Sequence, residues 1–230
     1  MTRLRRWVAA AVVAAGALGA WTWVRGDVPP SPSPPLTSPR PDLGALRQQA
    51  DQLPVKGRAP KTGYSRATFG LGDGWPRFDG RCDTRDQILA RDLRDQVRQP
   101  IGSCNVTAGT LDDPYTGMMI RLDPATPHAV EIDHVVPLGD AWVKGAQQWT
   151  PQQRARFAVD PDNLLAVDGP SNSAKRDGDS ATWLPPNKAF RCEYAGRQVE
   201  IKTRYQLWVT QAEKTQLQRL LMTCPDTKGR

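Results

Sequence analysis

The sequence predicts a mixed α+β domain stapled by disulfides, on three observations. Segments with the helical period and segments rich in β-branched residues alternate along the chain, with no internal repeat. Once a leader is set aside, about 180 residues remain, enough to bury one core. Four cysteines, Cys82, Cys104, Cys192 and Cys224, occur singly and without a C-x-x-C pair; that spacing disfavours zinc, and an even count in an exported chain points to two disulfides. Three pairings are possible. Cys82 with Cys104 and Cys192 with Cys224 is favoured, because each loop then stays within one region of the chain.

The elements follow in order. The N-terminus begins with Arg3, Arg5 and Arg6 and is then apolar from Trp7 to Val24, the layout of an export signal. The apolar run is long for a cleaved signal and short for a spanning helix, so residues 1–26 are read as a signal peptide or a membrane anchor. Either role puts the remainder outside the cytoplasmic membrane. Residues 27–52, beginning DVPPSPSPPLTSPRP, form a proline-rich linker, with a short helix near Leu43 to Gln52. A single domain is expected over 53–230, with its core at about 129–180.

Within that domain Asp83-Thr84 caps a helix carrying Ile88, Leu89, Leu93 and Val97 towards the interior. CNVTAGTLDDPYTGMMIRL reads as strand, turn at Asp112-Asp113-Pro114, and strand. Ala129 to Val136 is a strand limited by Pro137, and helices follow from Asp140 and over Pro151 to Ala158. Asn163 to Val167 is a short strand, Gly169-Pro170 a turn, and Ser171 or Asn172 the start of a brief helix. QVEIKTRYQLWV reads as strand, and Thr210 to Met222 as a helix with Leu217, Leu220 and Leu221 inward. Trp142, Trp149, Trp183 and Trp208 have apolar neighbours and are read as core rather than as a base-stacking platform.

The net charge of +7 misleads, because four arginines stand in residues 1–25 without any acid; beyond them 27 basic residues face 24 acidic ones. The distribution says more. Residues 129–180 hold five Lys or Arg and eight Asp or Glu, whereas 181–230 hold nine and four. A cation-dependent site handling a polyanion needs such an acidic patch beside a basic one, although ordinary solvated surfaces share the pattern.

The chemistry concentrates in EIDHVVPL, residues 131–138, which holds one of only two histidines. Successive strand residues point to opposite faces, so Asp133 and His134 can serve one pocket only where the strand bends or ends, and Pro137 marks such an end. The other histidine, His128, follows a proline and is read as a loop residue. Downstream stand NLLAV, with Asn163, and NSAK, with Asn172 and Lys175.

The order Asp-His, Asn-Leu, Asn-x-x-Lys resembles the HNH branch of the His-Me finger nucleases. With DPYTG, AWVKGAQQW, DPDNLLAVDGPSNSAK and WLPPN, residues 64–224 look like secreted actinobacterial HNH-endonuclease-like proteins, themselves similar to the nuclease domain that ends some modification-dependent restriction enzymes. The resemblance implies a ββα-metal core elaborated with extra helices and strands, and a metal-dependent endonuclease acting on DNA. His134 would be the general base, a neutral imidazole near its normal pKa that can take a proton at physiological pH. Asp133 and Asn172 would hold one divalent ion, Mg2+ or else Mn2+, through oxygen. Asn163 would hold the loop and the base in place, and Lys175 would meet a phosphate. Glu131, on the same strand face as Asp133, is either a third metal contact or an ordinary exposed glutamate. The gap between His134 and Asn163 is longer than in compact members, and its helices could touch DNA through Lys144, Arg154 and Arg156, with Lys175 and Arg176 beyond. The alternative from another class is a non-catalytic exported protein that binds DNA or an anionic wall polymer through its basic C-terminal third.

Overall fold

The carboxylate of Asp42 accepts the Ala45 N–H at 2.8 Å and caps helix α1, Leu43–Gln52. A computed structural model describes residues 42–225 apart from 73, 79–81 and 102. The leader and most of the linker therefore lie outside the described residues. Among those described, no helix is long and apolar enough to cross a membrane.

The capping box of Asp83 and Asp86 opens α2, Thr84–Asp92, whose Ile88 and Leu89 are buried. Leu93 turns extended and begins a sheet of three antiparallel strands in the order β1 (Leu93–Arg98), β2 (Val106–Asp112) and β3 (Met119–Leu122). Strand β4, Val130–His134, pairs antiparallel with β5, Leu164–Asp168, with Asp133 opposite Leu165 and His134 opposite Leu164. Between them lie α3, Leu138–Val143, and α4, Pro151–Ala158, the latter opened by a Thr150–Gln153 capping box. Helix α5, Gly169–Lys175, follows β5 directly. Two longer helices follow, α6 (Arg191–Arg204) and α7 (Gln211–Thr223). Disulfides join Cys82 to Cys104 and Cys192 to Cys224, the favoured pairing.

Four expectations are corrected. The stretch 198–209 is not a strand: α6 runs to Arg204, because Tyr194, Ala195, Gln198, Val199, Ile201 and Lys202 fall on one buried helical face that strand alternation had partly mimicked. Val97 does not point inward from a helix; α2 ends at Asp92 and Val97 lies exposed on β1, where the chain pairs with β2 instead. Gly169-Pro170 is the first turn of α5 rather than a separate turn, since Asp168 caps it by accepting from the Ser171 N–H and hydroxyl. Gly169 is required there: a Cβ would overlap the carbonyl oxygen of His128. Finally, the folded part does not begin at 53. Ala50 and Leu53 are buried with Val199, Leu217 and Leu221, which makes α1 part of the packed domain.

A second core cluster, including Ile88, Leu89, Leu111, Ile132 and Leu164, joins α2 and the three-stranded sheet to the β4/β5 pair. A third gathers Phe69, Trp142 and Phe157 beneath α3 and α4. A further cluster sets Leu165 and Val167 against Tyr115, Phe190 and Tyr194, whereas Leu164 and Ala166 join the second cluster, so β5 is packed on both faces.

Candidate active site

His134 is the last residue of β4, so the strand ends where the Asp-His pair requires it. The pair borders one cavity of about 320 Å3, together with Glu131, Asn172 and Arg176. Asn163 holds the chain just beyond the pair. Its side-chain oxygen accepts from the Val136 N–H at 2.8 Å, its amide donates to the Val136 carbonyl at 3.2 Å, and its own carbonyl accepts from the Val135 N–H. One asparagine thereby satisfies the backbone of a buried loop.

The imidazole of His134 is buried, stacks on Trp75 with centroids 5.6 Å apart, and places Nε2 2.9 Å from the carbonyl oxygen of Ala158, at the end of α4. A carbonyl only accepts, so Nε2 carries the hydrogen and Nδ1 keeps its lone pair. The expectation of a near-normal pKa is corrected: burial lowers that of His134 to about 3, only partly offset by the bond to Ala158, and the ring is neutral at physiological pH.

Asp133 is buried too. Its carboxylate accepts from the Tyr115 hydroxyl and from the Lys175 ammonium, at 2.8 Å to Oδ2. Burial raises its pKa and Lys175 and Tyr115 oppose that, with a net rise. Tyr115 comes from the DPYTG loop, which Asp113 ties to the site by accepting from the Asp168 N–H at 2.9 Å. Asn172, on α5, donates through Nδ2 to Glu131 Oε2 at 2.8 Å, leaving its amide oxygen free of that bond. The structure thus pairs Asn172 with Glu131 directly and brings both to the cavity that Asp133 borders. These are oxygen donors, which suit a hard divalent cation. Among the described residues no group of three or more His, Cys, Asp or Glu gathers as in a closed metal site.

Several expected phosphate contacts are corrected. Lys175 is buried and committed to Asp133 and to the His134 carbonyl at 2.7 Å. Lys144 is fully buried, within 2.8 Å of Asp179 and 2.6 Å of Glu213, and cannot face DNA. Arg154 donates to the carbonyls of Thr68 and Trp149 and lies over Trp142. Arg156 and Arg176 are exposed, and Arg176 lines the cavity. The basic C-terminal third offers less free charge than its composition suggests. Lys202 is buried against Asp140 and Glu213, and Arg204 pairs with Asp160 and Asp162. Sequence reasoning missed Tyr115, which stood only within a turn motif, and Trp75, which no spacing connects to His134.

Residues 83–220 match the family described as the C-terminal domain of GmrSD restriction endonucleases. A protein of Arthroderma benhamiae described as an uncharacterized secreted protein is 38% identical over 197 residues, covering 84% of this chain and 92% of that one. No solved structure matches the chain. The matched region contains β4, β5 and α5 whole, with Tyr115, Asp133, His134, Asn163 and Asn172 inside it, and the chain belongs to the family of GmrSD restriction endonuclease C-terminal domains.

Proposed function

We propose that the protein is a metal-dependent endonuclease of the HNH type that hydrolyses DNA phosphodiester bonds outside the cytoplasmic membrane. One observation carries this reading: the Ala158 carbonyl, which can only accept, fixes the His134 hydrogen on Nε2, leaving Nδ1 as a base beside a cavity edged by Glu131, Asp133 and Asn172. Family membership supports DNA as the substrate. The two disulfides and the secreted relative support an oxidising, extracytoplasmic setting.

His134 takes the proton from the attacking water at Nδ1, and the Nε2–H bond to Ala158 holds the ring in the required tautomer. Asn163 fixes the loop behind it, and Lys175 anchors both members of the Asp-His pair from the buried side. Asp133, Asn172 and Glu131 would hold a magnesium or manganese ion through their oxygens, with Asn172 oriented by its bond to Glu131. Such an ion supplies positive charge against the charge that develops on the phosphate and on the leaving 3′ oxygen. Arg176, exposed at the cavity, meets a phosphate of the substrate.

The test is incubation of supercoiled plasmid with the purified protein across magnesium, manganese and EDTA. Nicked and linear products with 5′ phosphates in the metal lanes alone are expected. Intact plasmid with every metal would overturn the reading.

A further inference from the structure

A second cavity, of about 430 Å3, adjoins the first: the two share Arg66, Glu131, Ile132 and Asn172. Its remaining walls are Trp75, Arg85, Pro127 and His128. Trp75 thus has two roles at once, since its ring stacks on His134 while it lines only the second space.

Two arginines stand at the second cavity. Arg58, Arg91, Arg94, Arg197 and Arg204 each pair with a carboxylate. Among the described residues, Arg66 and Arg85 pair with none. Arg66 is exposed at the junction of the two cavities. Arg85 is half-buried, and its guanidinium donates to the Val130 carbonyl at 3.0 Å, which uses one of five donors. Three carboxylates act on Arg85 from nearby without forming an ion pair with it: Asp83 and Asp86 are held in the capping box of α2, and Glu131, which lines the same cavity, is bonded to Asn172. Burial without a carboxylate partner costs a guanidinium free energy, which an anionic ligand would return. Its pKa is correspondingly lowered, by burial first.

We propose that the second cavity is a subsite for the nucleotide adjacent to the scissile phosphate. Arg85 and Arg66 hold that nucleotide's phosphate, and Trp75 with Pro127 forms the wall its base or sugar lies against. The inference rests on the nuclease reading and deepens it: the substrate is a polynucleotide strand crossing both cavities, and a lone phosphodiester is a poor one. Binding energy gained at the second cavity, away from the reacting centre, then serves the chemistry at the first. Trp75 couples the two, because a strand seated against it in the second cavity also presses the ring that backs His134.

The experiment compares Arg85→Gln, Arg66→Gln and Arg85→Lys with wild type on two substrates, a fluorescein-labelled octathymidylate and bis(p-nitrophenyl) phosphate. A charged hydrogen bond lost to phosphate corresponds to about 10- to 100-fold. The loss in kcat/KM on the octanucleotide should therefore exceed the loss on the small diester by about that factor in both Gln variants. Arg85→Lys should recover part of it. Equal losses on both substrates, or none on the octanucleotide, would overturn the subsite. Arg66→Gln, at an exposed position, keeps the test decisive if Arg85→Gln unfolds. Anisotropy of the labelled octanucleotide in EDTA separates the two readings. If wild type cleaves neither substrate the nuclease reading fails, yet weaker binding by the Gln variants, with a salt slope reduced by about 0.7, still supports the subsite. Unchanged binding ends it.

Discussion

The ammonium of Lys175 lies 2.8 Å from the Asp133 carboxylate and 2.7 Å from the His134 carbonyl oxygen, so one buried side chain fixes both members of the Asp-His pair. Lys175→Met removes the cation while keeping most of the bulk, and leaves the buried Asp133 carboxylate with the Tyr115 hydroxyl and the His134 backbone but no positive charge. Breaking such a pair costs about 3–5 kcal/mol. Urea unfolding monitored by tryptophan fluorescence should show that loss, and a change below about 1 kcal/mol would mean that Lys175 is not the anchor.

Asn163 makes the corresponding bonds to the loop after His134. Asn163→Ala strands the N–H and the carbonyl of Val136 in the interior, at about 1–3 kcal/mol for each group left unpaired. Cleavage should fall by a larger factor than the folded fraction does, because the loop that carries the base loses its register. Activity that simply tracks the folded fraction would assign Asn163 to packing alone.

Glu131 orients Asn172 through a bond to Oε2. Glu131→Gln preserves shape and keeps an acceptor but removes a charge beside the proposed ion. The magnesium concentration for half-maximal cleavage should rise by about 10-fold or more, in the range for groups that orient or join a metal site, with no change in the circular dichroism spectrum. An unaltered magnesium requirement would place Glu131 outside the metal's reach.

Acid stability has a separate origin. Burial alone would raise the pKa of Asp179, but Lys144 and Arg58 hold it well below the usual carboxylate range. A depressed folded-state value means that this carboxylate stabilises fully above its unfolded value of about 3.9. The contribution is lost as pH falls further, because the unfolded chain then binds the proton first. Asp179→Asn should cost about 3–5 kcal/mol at pH 7 and flatten the decline in stability between about pH 4 and pH 2. Parallel pH profiles for variant and wild type would contradict the assignment.

Much of this site was legible in the sequence because its parts are local. The Asp-His pair, the proline that limits its strand, Asn163 and the Asn-x-x-Lys spacing all sit within segments whose periodicity is short and clean. The pairing of α6 with strand character failed for the opposite reason: Val199 and Ile201 alternate over a window too brief to separate the two periods, and only the buried Tyr194, Gln198 and Lys202 decide for helix. Lys144 and Lys175 read as surface charges because nothing local announces a buried counter-ion; Asp179 and Glu213 reach Lys144 from 35 and 69 residues away. Trp75 meets His134, and Tyr115 meets Asp133, only through the tertiary fold.

The most direct measurement is the rate of plasmid cleavage by His134→Ala beside wild type, under identical magnesium and with matched unfolding curves. Loss of a general base should lower the rate by about 10²- to 10⁴-fold while metal-free DNA binding persists. A variant that cuts at the wild-type rate, folded and in the same metal, would contradict the account at its centre.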